Sequence, residues 1–222
     1  MKENLTILKL IEEAKTFCEN ESKFQNAELF GITDGKAVGT YIEHKFREYL
    51  LEKYTLQIGS SASGIDLPSV ETDIKVTSIK QPQSSCPFKD SKQKIFGLGY
   101  NLLVFVYDKN DNAITKKATL NFVSCSFVAK ERTGDFGTTR MIRQMLEDEA
   151  TKEDIAAYLE DIRIPSDFPT LLQIAEEVLE NPPEQGYLTI SNALQWRLQY
   201  NRIVLLKDKV QGITKVIDKN IA

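Results

Sequence analysis

Three charged side chains stand close together in DLPSVETDIK, residues 66–75. Asp66 and Asp73 are separated by six residues that include a proline, and Lys75 lies two positions after Asp73. Six residues are enough for a turn that returns Asp66 beside Asp73, and Lys75 would share a strand face with Asp73. Two adjacent carboxylates repel each other unless a cation lies between them, and such oxygen ligands suit Mg²⁺. A lysine beside the metal could orient an attacking water or stabilise charge on a phosphate, which predicts phosphodiester hydrolysis.

Two alternatives for this segment stay open. The segment could be an ordinary surface strand, in which an Asp–Lys pair contributes about 0–1 kcal/mol and performs no chemistry. Glu71 could replace Asp73 as a metal ligand, but no lysine follows Glu71 by two positions. The choice therefore depends on the residues around the segment.

Residue counts exclude several other chemistries. The chain has one histidine and three cysteines without a C-x-x-C pair, which argues against a zinc site and leaves one histidine for any Ser-His-Asp triad. In GITDGKA (31–37), three residues separate Gly31 from the Gly35-Lys36 pair, whereas a phosphate-binding loop has four, so this segment is not predicted to bind phosphate in that way. Scattered cysteines predict reduced thiols in a cytoplasmic protein, and no apolar run is long enough to span a bilayer.

Charge is distributed unevenly along this chain, whose formal net charge is −4. Residues 144–184 contain twelve acids and two bases, whereas residues 75–94 and 197–219 are rich in lysine and arginine. A polyanion such as DNA could therefore bind a basic face while the acidic region points away. The alternative is ordinary solvated charge on an acidic protein.

The apolar pattern predicts the elements that would position the charged residues. Residues 4–18 and a segment ending near Lys53 have helical spacing, and Thr33 or Asp34 could cap the second helix. Strands are expected at about 55–59, 70–79, 101–109 and 117–130. The continuous apolar run from Leu102 to Val106 indicates a central strand that is covered on both sides.

The later part of the chain predicts helices and one ambiguous segment. Residues 138–180 have the pattern of two or three helices, interrupted near Ile164-Pro165 and Phe168-Pro169. Beyond the loop NPPEQG, Ser191 could cap a helix, whereas RIVLL (202–206) is typical of a strand. The element order predicts an α/β fold, with a mixed central sheet flanked by helices and a helical insertion.

The pattern Asp66, six residues, Asp73-Ile74-Lys75 resembles the D…(D/E)-x-K motif of the restriction-endonuclease-like PD-(D/E)xK nuclease superfamily, with the short spacing of its MutH-like branch. Upstream, GKAVGTYIEHKF (35–46) is similar to that branch's Gly-hydrophobic-hydrophobic-Glu helix. GSSASGIDLPSVETDIKVTSI (59–79) is similar to its Ser/Gly-rich approach to the first aspartate. The resemblance covers roughly residues 33–80, and it implies a restriction-endonuclease-like core.

The resemblance also implies a role for each residue of the motif. Asp66, Asp73 and the backbone carbonyl of Ile74 would bind Mg²⁺, and Lys75 would be the catalytic lysine. Glu43 would be an acidic residue at or near the metal. Its alternative is a half-solvated position at the edge of the buried helical stripe.

MutH-like enzymes use a further lysine just upstream of the next core strand, and Lys92 and Lys94 are both candidates here. Lys94 is the favoured one. The expected organisation is a single nuclease domain over residues 1–222, with a catalytic core at about 33–130 and a helical region at about 138–180. A candidate DNA-recognition segment follows at about 186–222.

Two polar segments are candidates for DNA contacts, because Arg, Lys, Asn and Gln read base edges. One is SNALQWRLQYNR (191–202), whose alternative is an amphipathic helix that buries its leucines and tryptophan. The other is KQPQSSCPFKDSKQK (80–94), directly after the active-site strand. The predicted DNA-binding residues are Lys80, Gln81, Gln83, Lys89, Lys92, Asn192, Gln195, Arg197, Gln199, Asn201 and Arg202.

Three functions are compatible with these observations. The favoured one is a type II restriction endonuclease that cuts double-stranded DNA at a short specific sequence with Mg²⁺. A cognate DNA methyltransferase is then expected in the same system, without a stable complex between the two proteins. A strand-specific nicking endonuclease of DNA repair would use the same catalytic residues, and a non-catalytic DNA-binding protein is the third possibility. The protein could act as a monomer or as a homodimer.

Overall fold

The structure is a computed structural model of the 222-residue chain, and it describes residues 2–57, 59, 64–86, 89–191 and 196–219. Its elements, in chain order, are β1 (Glu3–Asn4), α1 (Ile7–Glu21), β2 (Gln25–Asn26), α2 (Gly35–Lys53), β3 (Tyr54–Thr55), β4 (Thr72–Ser78), β5 (Gln83–Cys86), α3 (Gln93–Phe96), β6 (Asn101–Asn112), β7 (Lys117–Val128), α4 (Phe136–Glu147), α5 (Lys152–Asp161), α6 (Phe168–Glu180), β8 (Thr189–Ile190), β9 (Trp196–Gln199), α7 (Asn201–Val204) and β10 (Ile213–Asp218). The predicted mixed α/β fold is confirmed. None of the described helices is both long and apolar enough to cross a membrane.

The chain forms two compact units. Unit 1 consists of Met1–Ser84, Tyr100–Val128 and Lys207–Ala222, and unit 2 consists of Ser85–Gly99 and Ala129–Leu206. Unit 1 contains the larger sheet with α1 and α2, whereas unit 2 contains the remaining helices with β8 and β9. The organisation into one nuclease domain with a core, a helical region and a recognition segment stays a prediction.

Unit 1 is built on a sheet with the strand order β10-β7-β6-β4, and β2 also pairs with β7. Strand β4 runs parallel to β6, whereas β6 and β7 form a long antiparallel pair, and β10 is antiparallel to β7. Residues Asn101–Tyr107 of β6 are buried, as expected of a strand between two neighbours and covered on both faces. The prediction of a central strand here is confirmed.

An aromatic cluster joins the two helices of unit 1 to its sheet. Phe17 of α1 and Phe46 of α2 lie 4.9 Å apart between ring centroids, and Phe46 meets Phe105 of β6 at 5.1 Å. Helix α2 comes close to β4 because residue 39 is glycine, where a Cβ atom would lie 3.3 Å from the carbonyl oxygen of Val76. This close approach sets the distance between α2 and β4, the strand that carries Asp73.

Unit 2 has a helical core made by α4, α5 and α6, as the sequence predicted. Its buried side chains include Ile142, Ile155 and Ile174, which are inaccessible to solvent. Asp135 caps α4 through a hydrogen bond from the backbone N–H of Thr138, at 2.8 Å. The other carboxylate oxygen of Asp135 accepts from the backbone N–H of Ile190, also at 2.8 Å, which ties β8 to the helices.

Three predictions about secondary structure are corrected. RIVLL (202–206) begins in a helical turn rather than a strand, since α7 covers Asn201–Val204 and buries Ile203 and Val204. Trp196–Gln199 is a strand rather than part of a helix that starts at Ser191, and residues 192–195 lie outside the described part of the chain. Of the strand expected at 55–59, only Thr55 belongs to β3 (Tyr54–Thr55), and the described residues 56, 57 and 59 are not in a strand.

Candidate active site

A tight turn brings Asp66 back to the start of β4. Leu67 and Thr72 exchange two backbone hydrogen bonds, with N···O distances of 3.0 and 3.2 Å. Between them, Pro68–Val70 forms a single 3-10 turn, and Glu71 closes it in the left-handed region, with φ of 46°. The structure therefore contains the predicted turn, which brings Asp66 back toward β4. Glu71 is exposed on the turn rather than on the strand, which leaves Asp73 as the acid on β4.

The carboxylate of Asp66 lies close enough to that of Asp73 to influence its pKa. One oxygen of Asp66, Oδ2, also accepts a hydrogen bond from the backbone N–H of Ile74 at 3.0 Å. Burial is the main reason why the pKa of Asp73 rises to about 6, and the neighbouring Asp66 adds to it while Lys75 opposes it. A buried carboxylate of raised pKa beside a second carboxylate forms a site that a cation would stabilise.

Lys75 completes the group on the same face of β4. Its Nζ lies 2.6 Å from Oδ2 of Asp73, and the pair is largely shielded from solvent. Burial alone would lower the pKa of Lys75, but the carboxylates of Asp73 and Glu43 outweigh it, so the pKa lies above its ordinary value. The ammonium group is therefore held in its charged form beside the two aspartates.

Glu43 reaches the same group from helix α2. Burial and the negative charge of Asp66 raise its pKa to about 7, with a smaller opposing effect from Lys75. Glu43 is half-buried, so its role at or near the metal stays a prediction beside the half-solvated alternative. The structure thus brings together the three predicted acids, from α2, the turn and β4, with the predicted lysine.

Arg47 is a further member of the site that the sequence reasoning missed. Its Nη1 atom lies 3.4 Å from Oδ1 of Asp66, and both side chains are about four-fifths buried, at 19% and 21% exposed. Arg47 stands one helical turn after Glu43, and residues four apart share a helix face. That spacing predicts that Arg47 and Glu43 share a helix face, but it does not indicate the contact with Asp66.

The donor set fits Mg²⁺. Among the described residues, no group of three or more His, Cys, Asp and Glu side chains is arranged to hold a metal ion. Magnesium does not need such a cage, since proteins bind it through one or two carboxylates and leave several waters on the ion. Asp66 and Asp73 offer two neighbouring carboxylates, and the carbonyl of Ile74 stays a predicted third ligand.

The two candidate accessory lysines belong to unit 2. Lys94 is buried, and burial lowers its pKa while the charge of Asp135 acts in the opposite direction. The ammonium group of Lys92 pairs with the carboxylate of Glu177 on α6. A role for either lysine beside Asp66 and Asp73 stays a prediction.

The predicted DNA-binding residues are mostly accessible. The exposed ones are Lys80, Gln81, Lys89, Arg197, Asn201 and Arg202, while Gln83 and Gln199 are half-buried. Asn192 and Gln195 lie outside the described residues. The guanidinium of Arg202 stacks 3.9 Å from the ring centroid of Phe136, within unit 2. The DNA contacts themselves stay predictions.

We expect Glu43→Gln to change how the stability of the metal-free protein depends on pH. Because the pKa of Glu43 is higher in the folded protein than the ordinary 4.5, its contribution to stability is complete below pH 4.5 and is lost as pH rises through about 7. In EDTA, the unfolding free energy of the wild type should therefore fall relative to Glu43→Gln by about 3 kcal/mol between pH 4.5 and pH 8.

Urea unfolding at these two pH values measures that difference. Glu48→Gln, at an exposed position of the same helix, is the matched control for the loss of one carboxylate. Parallel pH profiles for the wild type and Glu43→Gln would contradict the raised pKa of Glu43.

Comparison with known proteins identifies the family. Residues 4–215 match the family model of the type II restriction enzyme NspV. The chain is 54% identical over 216 residues to the type II restriction enzyme NspV of Nostoc sp., covering 97% of this chain and 98% of that protein. No solved structure matches the chain. The expected relationship to type II restriction endonucleases is confirmed, and the chain belongs to the NspV family of type II restriction enzymes.

Proposed function

We propose that this protein is a type II restriction endonuclease that hydrolyses phosphodiester bonds of double-stranded DNA at a short specific sequence with Mg²⁺. The observation that carries the proposal is the ion pair of Asp73 and Lys75, 2.6 Å apart and largely shielded from solvent, with the carboxylate of Asp66 close enough to raise the pKa of Asp73. Membership of a family of type II restriction enzymes supports the same activity.

In the proposed mechanism, Asp66 and Asp73 would hold Mg²⁺ through their carboxylate oxygens, together with the carbonyl of Ile74. Bound there, Mg²⁺ would polarise the scissile phosphate and lower the pKa of a coordinated water. Lys75 donates hydrogen bonds to the attacking water or to the phosphate oxygens, where negative charge develops in the transition state. Its three N–H donors can satisfy Asp73 and a second oxygen at the same time.

Glu43 has a supporting place in this mechanism. It adds a third acidic side chain beside the pair, which increases the negative potential that attracts a divalent cation. Among the described residues no three His, Cys, Asp or Glu side chains form a metal-binding group, so we place Glu43 near the metal rather than in a three-acid cage. Lys94 remains the favoured accessory lysine from the family resemblance.

The DNA-binding proposal rests on exposed arginines and amides near the end of unit 2. Arg202 is the best prepared of them, because stacking on Phe136 fixes the plane of its guanidinium. It has no acidic partner among the residues that the structure describes. A flat, oriented guanidinium can donate two parallel hydrogen bonds to a guanine edge in the major groove.

Arg197→Ala and Gln199→Ala should relax or destroy the sequence choice of the enzyme. Each good base contact contributes about 1–3 kcal/mol of discrimination against the wrong base. The measurement is the dissociation constant in Ca²⁺ for the cognate duplex and for duplexes with one changed base pair. If both variants weaken binding equally on all duplexes, these residues contact phosphates instead of bases.

Digestion of a supercoiled plasmid tests the proposed function. We expect cleavage into discrete linear fragments with Mg²⁺ and no cleavage with Ca²⁺ or EDTA. Conversion only to open circles would replace the proposal with the strand-specific nicking endonuclease. Absence of cleavage under all conditions would leave the non-catalytic DNA-binding protein.

We also propose the cellular setting that such an enzyme requires. A cell that contains a site-specific nuclease must protect its own copies of the site, so a cognate DNA methyltransferase is expected in the same system. The buried free thiols of Cys18 and Cys125 suit the reducing cytoplasm. A palindromic target would favour a homodimer, whereas an asymmetric one would favour a monomer.

A further inference from the structure

Both oxygens of the Asp66 carboxylate are held by donors from different elements. Oδ2 accepts from the backbone N–H of Ile74 at 3.0 Å, and Oδ1 lies 3.4 Å from Nη1 of Arg47. The first donor belongs to β4 and the second to α2. The carboxylate is therefore oriented by two rigid elements rather than by its own backbone.

Asp66 needs this support because it lies in a connecting segment. It precedes the Leu67–Thr72 bridge and belongs to neither a helix nor a strand. Functional side chains on such segments keep a fixed geometry only when neighbouring groups hold them. Arg47 comes from the 19-residue helix α2, whose position over β4 is set by the close contact at Gly39.

We propose that Arg47 is a positioning residue, which holds the Asp66 carboxylate in the orientation that binds a divalent cation. This inference rests on the proposed function, because it takes Asp66 as a metal ligand. Arginine suits the role, since its planar guanidinium donates in a fixed direction and always carries its charge. Donors that orient metal-binding carboxylates commonly affect metal affinity by about ten- to a hundredfold.

Loss of the positive charge of Arg47 and loss of its contact with Asp66 would change metal affinity in opposite directions. A positive charge beside the site repels a second cation, so removal of charge alone would tighten metal binding. Loss of orientation would weaken metal binding instead. The direction of the change in affinity therefore separates a positioning role from a simple electrostatic one.

Binding of Mn²⁺ to the DNA-free protein gives this direction without reliance on cleavage. Mn²⁺ takes the same hard oxygen ligands as Mg²⁺, and its free concentration is measured from its electron paramagnetic resonance signal. Arg47→Met removes the donor and the charge while it keeps much of the side-chain volume. Arg47→Lys keeps the charge and one donor, and Lys15→Met, at an exposed position of α1, is the matched control for loss of one positive charge.

The expected result is a dissociation constant for Mn²⁺ that rises about ten- to a hundredfold in Arg47→Met, an intermediate rise in Arg47→Lys and no change in Lys15→Met. A folded Arg47→Met protein with an unchanged or lower dissociation constant would overturn the inference. If Arg47→Met does not fold, Arg47→Gln takes its place with the same two outcomes.

Asp66→Ala separates this inference from the proposed function. It should lose Mn²⁺ binding if Asp66 is a ligand. If Asp66→Ala binds Mn²⁺ like the wild type, the proposed metal site itself is wrong. If Asp66→Ala loses the ion and Arg47→Met keeps it, only the role of Arg47 is wrong.

Discussion

Lys75→Ala is expected to lower the single-turnover rate of DNA cleavage by about a thousandfold or more, even at saturating Mg²⁺ and enzyme. The ammonium group is fixed at 2.6 Å from Asp73 before substrate arrives, so it needs no reorganisation when charge develops on the phosphate. Removal of one such preorganised donor typically costs about 10²–10³ in rate, and the loss of a full positive charge adds to this effect.

The fold should tolerate this change, because Asp73 already has a raised pKa and can bind a proton when its partner is removed. Lys109→Ala is the matched control. Lys109 pairs with Asp111, two positions later on β6. This second Lys–Asp pair lies in the same sheet but outside the candidate active site. Unchanged single-turnover kinetics in Lys75→Ala would remove this lysine from the mechanism.

Asp66→Ala and Asp73→Ala should each abolish cleavage while DNA binding persists or becomes tighter. Each variant removes one of the two carboxylates that would bind Mg²⁺, and each also removes a negative charge that repels the phosphate backbone. Cleavage is followed under single-turnover conditions, and DNA affinity is followed by fluorescence anisotropy in EDTA.

The two variants differ in their expected effect on the fold. Asp73→Ala leaves the buried ammonium of Lys75 without its nearest partner, so Asp73→Asn serves as a second variant that keeps the shape of the side chain. Asp111→Ala, on β6, is the control for removal of a lysine-paired aspartate. Wild-type cleavage by either Asp66→Ala or Asp73→Ala would place the active centre elsewhere in the chain.

The local part of the site could be predicted from the sequence because it depends on short-range geometry. Asp73 and Lys75 share a face since side chains alternate along a strand, and Pro68 helps to build a turn that fits six residues. Helix α2 was likewise predictable, since Asp34 caps its first turn through hydrogen bonds at 3.1 and 3.3 Å.

The non-local part could not be predicted from these rules. The contact between Arg47 and Asp66 depends on how α2 packs against β4, which is set by Gly39 and by the aromatic cluster around Phe46. Strand β10 was missed for the same reason, since its pairing with β7 joins segments far apart in the chain. At RIVLL, β-branched residues favour a strand, but the burial of Ile203 and Val204 favours a helical turn.

Sequencing of the fragment ends from a bacteriophage DNA digest tests the central claim most directly. Wild-type protein and Asp73→Ala are incubated with the same DNA and Mg²⁺, and all ends are mapped. We expect every wild-type end to lie at one shared short sequence, and we expect the Asp73→Ala digest to contain no such ends. Ends scattered without a shared sequence, or the same ends in both digests, would contradict a site-specific nuclease centred on Asp66, Asp73 and Lys75.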